Sequence, residues 1–203
     1  MTPSVNGSRA RHAQHTVVAI VEDKPGVLMR VASLFRRRGF NIESLTVGHS
    51  EAPGLSRITI VVDGASAPVE QVEKQLYKLI DVVKVTDLSK EDIVARELAM
   101  LKVRCNNVNR HELLDIANVF RADVVDIATN SIILQVVGDE DKIDGLLKMC
   151  EPYGIRELSR TGRIAMVRGT KTTTVHEPEP EKIAKFHASQ GRRVEGDLPF
   201  SSD

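Results

Sequence analysis

The chain has 203 residues, of which 41% are apolar, enough for one large or two small folded domains. Its 28 Lys and Arg balance 28 Asp and Glu, and this zero formal net charge argues against a nucleic-acid-binding protein, which usually carries a basic excess. Because no apolar run approaches the roughly 18 residues of a membrane span and residues 1–14 lack the apolar core of a secretory signal, we expect a cytoplasmic protein.

The first half of the chain has the pattern of four strands and two helices. Apolar runs and alternation predict strands at Thr16–Val21, Phe40–Val47, Ser56–Val62 and Val82–Leu88. A first helix is predicted over Pro25–Arg38, since Pro25 suits a first turn and Gly39 a C-terminal cap. Its predicted apolar face consists of Val27, Leu28, Val31, Leu34 and Phe35. A second helix is predicted from Ser66, with an apolar face of Val69, Val72, Leu76, Leu79 and Ile80.

The second half of the chain repeats this pattern. Strands are predicted at Leu98–Cys105, Val124–Thr129, Ser131–Val137 and Ile155–Val167, the last one kinked at Gly162. Helices are predicted at Asn109–Ala122, where Asn109 and Glu112 have capping-box spacing, and at Asp139–Glu151. Both halves thus have the strand order of the ferredoxin-like fold. We predict an α+β protein of two tandem ferredoxin-like (βαββαβ) units, residues 15–90 and 91–170, each an antiparallel sheet with helices on one face.

The segments outside these units are polar. Residues 1–14 are predicted to form a flexible lead, and the two units to be joined near Ser89–Arg96. Residues 171–203 lack a sustained apolar face and are predicted to be a disordered tail.

Three patterns that suggest chemistry are weak in this sequence. The stretch His111–Asp115 resembles the HExxH motif of zinc proteases, but its fifth residue is Asp, which favours an ordinary helix start. Ferredoxin-like units that bind RNA use aromatic residues on their central strands, and the predicted central strands here have none. Cys105 and Cys150 stand alone, which predicts reduced, buried thiols. We therefore expect no catalytic site, metal site or nucleic-acid site in this chain.

The turn Asp23–Gly26 before the first helix is a stronger candidate for a ligand site. A helix N-terminus offers unpaired N–H groups and the positive end of a dipole, which suit a carboxylate. Asp23 can accept a hydrogen bond from an ammonium group, and the Asn41 amide can bind either end of an amino acid. The residues alone fit equally well with a tight turn closed by its own side chain.

Several segments resemble one family in order along residues 15–170. They read RRGFNIESLTVG, LSRITIVV, VEKQLYKLIDVVKV, RELAMLKV, FRADVVDIAT and SRTGRIAMVRG. These segments resemble the regulatory small subunit of acetolactate synthase, also called acetohydroxyacid synthase. Its N-terminal part is an ACT domain, a sensor of small molecules, usually amino acids.

The resemblance implies a chain that is not itself an enzyme. Its partner would be a large subunit that carries thiamine diphosphate, Mg²⁺ and FAD, so no cofactor is expected in this chain. That large subunit condenses two pyruvates to 2-acetolactate, or pyruvate with 2-oxobutyrate, at the start of branched-chain amino acid biosynthesis. The small subunit would raise the activity and confer feedback inhibition, most often by valine.

The resemblance also implies a homodimer through the ACT domain. The ferredoxin-like strand order puts Phe40–Val47 on a sheet edge, and an apolar edge strand must be paired or covered. Two-fold pairing would bring the turn of one chain near Asn41 of the other. The residues implied to bind the effector are Asp23, Lys24, Pro25, Gly26, Val27, Leu28, Asn41 and Ile42. The alternative reading is a free-standing ACT regulator of another enzyme or of a transcription factor.

Overall fold

The computed structural model describes residues 14–64 and 68–175, which form two antiparallel sheets with two helices each. The first unit consists of β1 (Gln14–Glu22), α1 (Val27–Arg38), β2 (Ile42–His49), β3 (Leu55–Asp63), α2 (Val69–Leu76) and β4 (Val82–Asp87). Its strands lie in the order β2-β3-β1-β4. The predicted ferredoxin-like order of this unit, with β2 at an edge, is confirmed.

The second unit repeats the arrangement. It consists of β5 (Ile93–Arg104), α3 (Arg110–Val119), β6 (Asp123–Ile127), β7 (Ser131–Gly138), α4 (Glu140–Cys150), a 3-10 turn (Glu151–Tyr153), β8 (Ile155–Arg160) and β9 (Ile164–Val167). Four of its strands lie in the order β6-β7-β5-β8, and β9 pairs with the beginning of β5. The α+β fold of two tandem βαββαβ units is therefore confirmed.

Two predictions about α1 are wrong, and Gly26 explains one of them. The helix begins at Val27 and not at Pro25, because Gly26 has a φ of 88° and so interrupts the right-handed helical conformation. Leu28 is 43% exposed, while the other four residues of the predicted apolar face are buried. Gly39 ends the helix at a φ of 67°, as predicted.

The prediction for the second helix is correct in part. Its proposed first residue, Ser66, lies outside the described residues, and α2 is described from Val69. Val69, Val72 and Leu76 are buried, and Leu79 packs against the same core. Ile80 is 56% exposed because the helix ends at Leu76 and the chain turns before it reaches Ile80.

The capping box predicted at the start of α3 is wrong. Asn109 occupies the N-cap position of α3, but its side chain makes no cap hydrogen bond. Instead, Asn106 Oδ1 accepts from the N–H groups of Val108 and Asn109, each at 2.9 Å. The thiols of Cys105 and Cys150 are free and buried, as predicted.

The two ends of strand β5 pair with different strands. The predicted linker at Ser89–Arg96 is therefore corrected, because its last four residues belong to β5. The residues of β5 from Glu97 onward pair with β7, whereas Ile93–Arg96 pair with β9. The predicted last strand is interrupted at residues 161–163, so the kink expected at Gly162 separates β8 from β9. We call Ile93–Arg96 together with β9 the ribbon.

One face of the first sheet packs against α1 and α2. The ribbon contacts the opposite face, which we call the ribbon face. Strand register places Val18, Ile20, Arg57, Thr59 and Val61 on this face. Val18, Ile20 and Val61 are at most 1% exposed. Arg57 on β3 donates to the backbone oxygen of Ala165 on β9 at 2.9 Å. Both faces of the first sheet are therefore covered.

The last described residues remain attached to this fold, which corrects the predicted start of the tail at residue 171. Lys171 Nζ lies 2.9 Å from Glu91 Oε2, and the Thr173 hydroxyl accepts from Arg57 at 2.7 Å. Residues 176–203, like residues 1–13, lie outside the described residues. Within the described ranges, no helix is long and apolar enough to cross a membrane.

Candidate ligand-binding site

The turn between β1 and α1 is held by backbone hydrogen bonds. Asp23 N–H donates to the backbone oxygen of Gly54 at 2.8 Å, which fixes the turn to the β2–β3 loop. Val27 N–H donates to the backbone oxygen of Lys24 at 3.4 Å and closes the turn itself. The positive φ of Gly26 is needed here, because residues with a Cβ rarely adopt it.

The N-terminus of α1 is open. In the described part of the chain, no side chain caps it, and its first turn contains no acidic residue. A Cβ added at Gly26 would have no described atom within 4 Å, so free space lies above the first turn. Unpaired N–H groups, the helix dipole and this space together suit a carboxylate.

The charged side chains of Asp23 and Lys24 at the turn are exposed, and each lies close to a polar partner. Asp23 Oδ2 lies 3.2 Å from His49 Nδ1, and Lys24 Nζ lies 2.8 Å from Glu22 Oε2. Asp23 keeps 46% of its side chain exposed, so its carboxylate can also accept from an ammonium group. The pairing with His49 was not predicted, since it joins the turn to the end of β2, which is distant in sequence.

Sequence reasoning also missed an ion pair that supports the turn. Arg30 Nε lies 2.8 Å from Asp81 Oδ2, and Arg30 Nη2 donates to Asp81 Oδ1 at 3.1 Å. Asp81 is buried, and its backbone oxygen accepts from Glu22 N–H at 2.8 Å. This ion pair, with its single hydrogen bond to Asp81 Oδ1, ties α1 to the end of β1. Its only sequence signal is that Arg30 lies one helical turn after Gly26.

The structure does not bring all the predicted site residues together in one chain. Asp23–Leu28 lie at the start of α1, whereas Asn41 and Ile42 follow its end, and a helix of 12 residues is about 18 Å long. Asn41 Nδ2 donates to Glu43 Oε1 at 2.8 Å on the surface. The two groups can meet at one ligand only if a second chain supplies one of them.

A partly buried polar cluster joins the two units and was not anticipated from the sequence. Arg163 Nη2 lies 2.6 Å from Glu140 Oε2 and donates to Gln14 Oε1 at 3.1 Å. The N–H of Arg163 donates to Ser44 Oγ at 2.8 Å. Next to it, a Cβ added at Gly162 would lie 2.8 Å from the backbone oxygen of Leu45. The segment between β8 and β9 therefore rests directly on β2.

Glu112, in the stretch considered for a zinc site, has another contact. Glu112 Oε2 accepts a hydrogen bond from the Tyr153 hydroxyl at 3.1 Å, and this bond to the carboxylate raises the pKa of Tyr153. No group of three or more His, Cys, Asp or Glu in residues 14–64 and 68–175 is placed to hold a metal ion.

Comparisons with known proteins decide the family. A family model described as the small subunit of acetolactate synthase matches residues 96–169, and one described as the AHAS small subunit-like ACT domain matches residues 18–84. A probable acetolactate synthase small subunit from Archaeoglobus fulgidus is 53% identical over 158 residues, 78% of this chain and 99% of that protein. The chain belongs to the acetolactate synthase small-subunit family.

Two further relatives support the assignment to this family. The acetolactate synthase small subunit of Mycolicibacterium smegmatis is 48% identical over 157 residues, which are 77% of this chain and 92% of that protein. The crystal structure of the acetolactate synthase small subunit from Thermotoga maritima superposes with a TM-score of 0.72 at 41% identity, covering 78% of this chain and 99% of that one. The first unit is thus an ACT domain of this family, and a regulatory small subunit implies a catalytic large-subunit partner.

Proposed function

We propose that this small subunit activates a catalytic large subunit of acetolactate synthase and makes it sensitive to valine. Thiamine diphosphate, Mg²⁺ and FAD would be bound by the large subunit. These cofactors would supply the chemistry that condenses two pyruvates to 2-acetolactate, or pyruvate with 2-oxobutyrate. This chain would bind the effector and the large subunit.

The open N-terminus of α1 carries the proposal for the effector. The carboxylate of valine would accept from the N–H groups that follow Gly26, in the free space above the first turn. Its ammonium group would approach the half-exposed carboxylate of Asp23. Lys24, Pro25 and Val27 shape the turn, and the exposed Leu28 side chain offers an apolar contact at its rim.

The second half of the site would come from another copy of the chain. The edge position of β2 supports this proposal, because pairing two copies through β2 yields a two-fold dimer with one continuous sheet. Asn41 and Ile42, at the beginning of β2, would then lie near the turn of the partner. Effector binding would change how the two chains pack, which is the coupling that an allosteric account requires.

Reconstitution tests this function. The isolated chain, supplied with pyruvate, thiamine diphosphate, Mg²⁺ and FAD, should form no acetolactate. When it is added to its large subunit, it should raise the rate of acetolactate formation and bring inhibition by valine. Turnover by the chain alone, or a large subunit whose rate and valine response do not change, would contradict the proposal.

A further inference from the structure

Two cavities lie between the first sheet and the second unit, and they differ in charge. The first, of about 470 Å³, contains arginines and carboxylates that neutralise each other. Arg163 is paired with Glu140, and Arg160 Nε lies 2.6 Å from Glu97 Oε2. This cavity needs no ligand to balance its charges.

The second cavity, of about 350 Å³, has cationic and apolar walls. It lies between the ribbon face of the first sheet and the ribbon itself. Among its lining residues are Arg57, Arg96, Val94, Ile164 and Met166. None of the described residues that line it is Asp or Glu. Its volume falls at the small end of ligand pockets, which span roughly 300–1,000 Å³.

The two arginines in this cavity make their hydrogen bonds to neutral oxygens. Arg57 donates to the backbone oxygen of Ala165 and to the Thr173 hydroxyl, and Arg96 donates to the backbone oxygen of Ala95 at 2.7 Å. Burial lowers the pKa of Arg57, and the charge of the exposed Glu51 partly offsets this effect. Within the described residues, neither guanidinium lies within 4.0 Å of a carboxylate.

Among the described residues, the guanidinium of Arg57 has no opposite charge close to it. Arg57 is half-buried, and a half-buried charge without an opposite charge is destabilising. A bound anion would offset the charge of Arg57.

We propose that this cavity binds a small aliphatic carboxylate that lacks an α-amino group. The carboxylate would accept from Arg57 and Arg96, and the aliphatic chain would contact Ile164 and Met166. An amino acid is excluded because its ammonium group would face two guanidinium groups and no lining carboxylate. The site therefore differs from the candidate valine site in place and in ligand, and it does not depend on the proposed function.

Binding of 3-methylbutanoate tests the proposal, because this acid is valine without its amino group. Isothermal titration of the full chain, with the valine site saturated, should show saturable binding of 3-methylbutanoate and none of 3-methylbutan-1-ol. Absence of saturable binding would overturn the proposal, as would displacement of 3-methylbutanoate by further valine. Binding of inorganic phosphate alone would overturn the assignment to an aliphatic acid.

Variants locate the binding in the cavity. Arg96→Met should weaken 3-methylbutanoate binding at least about tenfold, since a charged hydrogen bond is lost. Arg96 is exposed, so the fold should be unaffected, and Arg57→Met should give a similar loss if its melting temperature stays near that of the wild type. The control is Arg36→Met, on the exposed end of α1, which should bind as the wild type does. Wild-type affinity in the Arg96 variant would contradict the site.

Discussion

The first turns of the two units differ although the units share one topology. In the ACT domain, the chain enters α1 through Gly26, and no side chain of the described residues caps the helix. In the second unit, α3 also lacks a side-chain cap within the described residues, but its first turn contains the acidic Glu112. Asn106 Oδ1 accepts from the N–H groups of Val108 and Asn109 just before the helix. An acidic side chain in the first turn would repel a carboxylate, and the first turn of α1 has none. We infer that the first turn of α1 is the better place for a carboxylate effector.

Gly26→Asp should have the largest effect, because it would close the open turn. The new carboxylate would compete with that of valine for the N-terminus of α1, and couplings of about 1–3 kcal/mol would be lost. Acetolactate formation by the reconstituted complex should become insensitive to valine, while activation persists.

The positive φ of Gly26 requires a control for backbone strain. Gly26→Asn introduces a neutral side chain of the same shape, and Asn tolerates this conformation better than most residues. The Asn variant should keep more of the valine response than the Asp variant. Equal responses, or full sensitivity of the Asp variant, would show that charge at this turn is unimportant.

Asn106→Ala should affect stability and leave regulation intact. Asn106 Oδ1 accepts from two N–H groups in the turn before α3, and loss of such a hydrogen bond costs about 1 kcal/mol. Chemical denaturation should show this loss, while the valine concentration for half inhibition stays the same. Asn106→Asp, which retains the acceptor oxygen, should keep most of the stability. A changed valine response in the Ala variant would assign a ligand role to the second turn as well.

Asn41→Ala should produce the smallest effect, a weakening of valine binding. Truncation of a neutral hydrogen-bonding group costs on the order of 1 kcal/mol, equivalent to roughly a fivefold change in affinity. Calorimetric titration with valine measures it. Glu43→Ala removes the neighbour to which Asn41 donates and should bind valine nearly as the wild type does. If both variants lose the same affinity, the loss comes from the local Asn41–Glu43 contact.

Local sequence patterns predicted those features that depend on local interactions. Alternation and helical periodicity located the strands, and four of the five predicted core positions of α1 are buried. The start of α1 and the cap of α3 were misjudged, although Pro25 and Asn109 each fit a familiar pattern. Gly26 interrupts the helix at the first turn, and Asn109 Oδ1 accepts from the N–H of Asn106 and not from the first turn of α3.

Contacts between distant segments had no comparable signal in the sequence. The segment around Gly162 rests on β2, and this contact joins residues more than a hundred positions apart. The turn of the candidate site was found from the helix signals around it. Its proposed relation to Asn41 would require a second chain, which the resemblance to the family implied and the residue pattern alone did not.

A mixed dimer tests the central claim that one effector site is formed by two chains. Chains with Gly26→Asp are combined with chains with Asn41→Ala, the mixed species is purified with two affinity tags, and valine binding is titrated. If the turn of one chain meets Asn41 of the other, each mixed dimer retains one site with both residues intact. One site of wild-type affinity per mixed dimer is expected, although the Gly26→Asp parent binds poorly and the Asn41→Ala parent binds roughly fivefold more weakly. A mixed species that binds no better than its parents would contradict a site shared between chains.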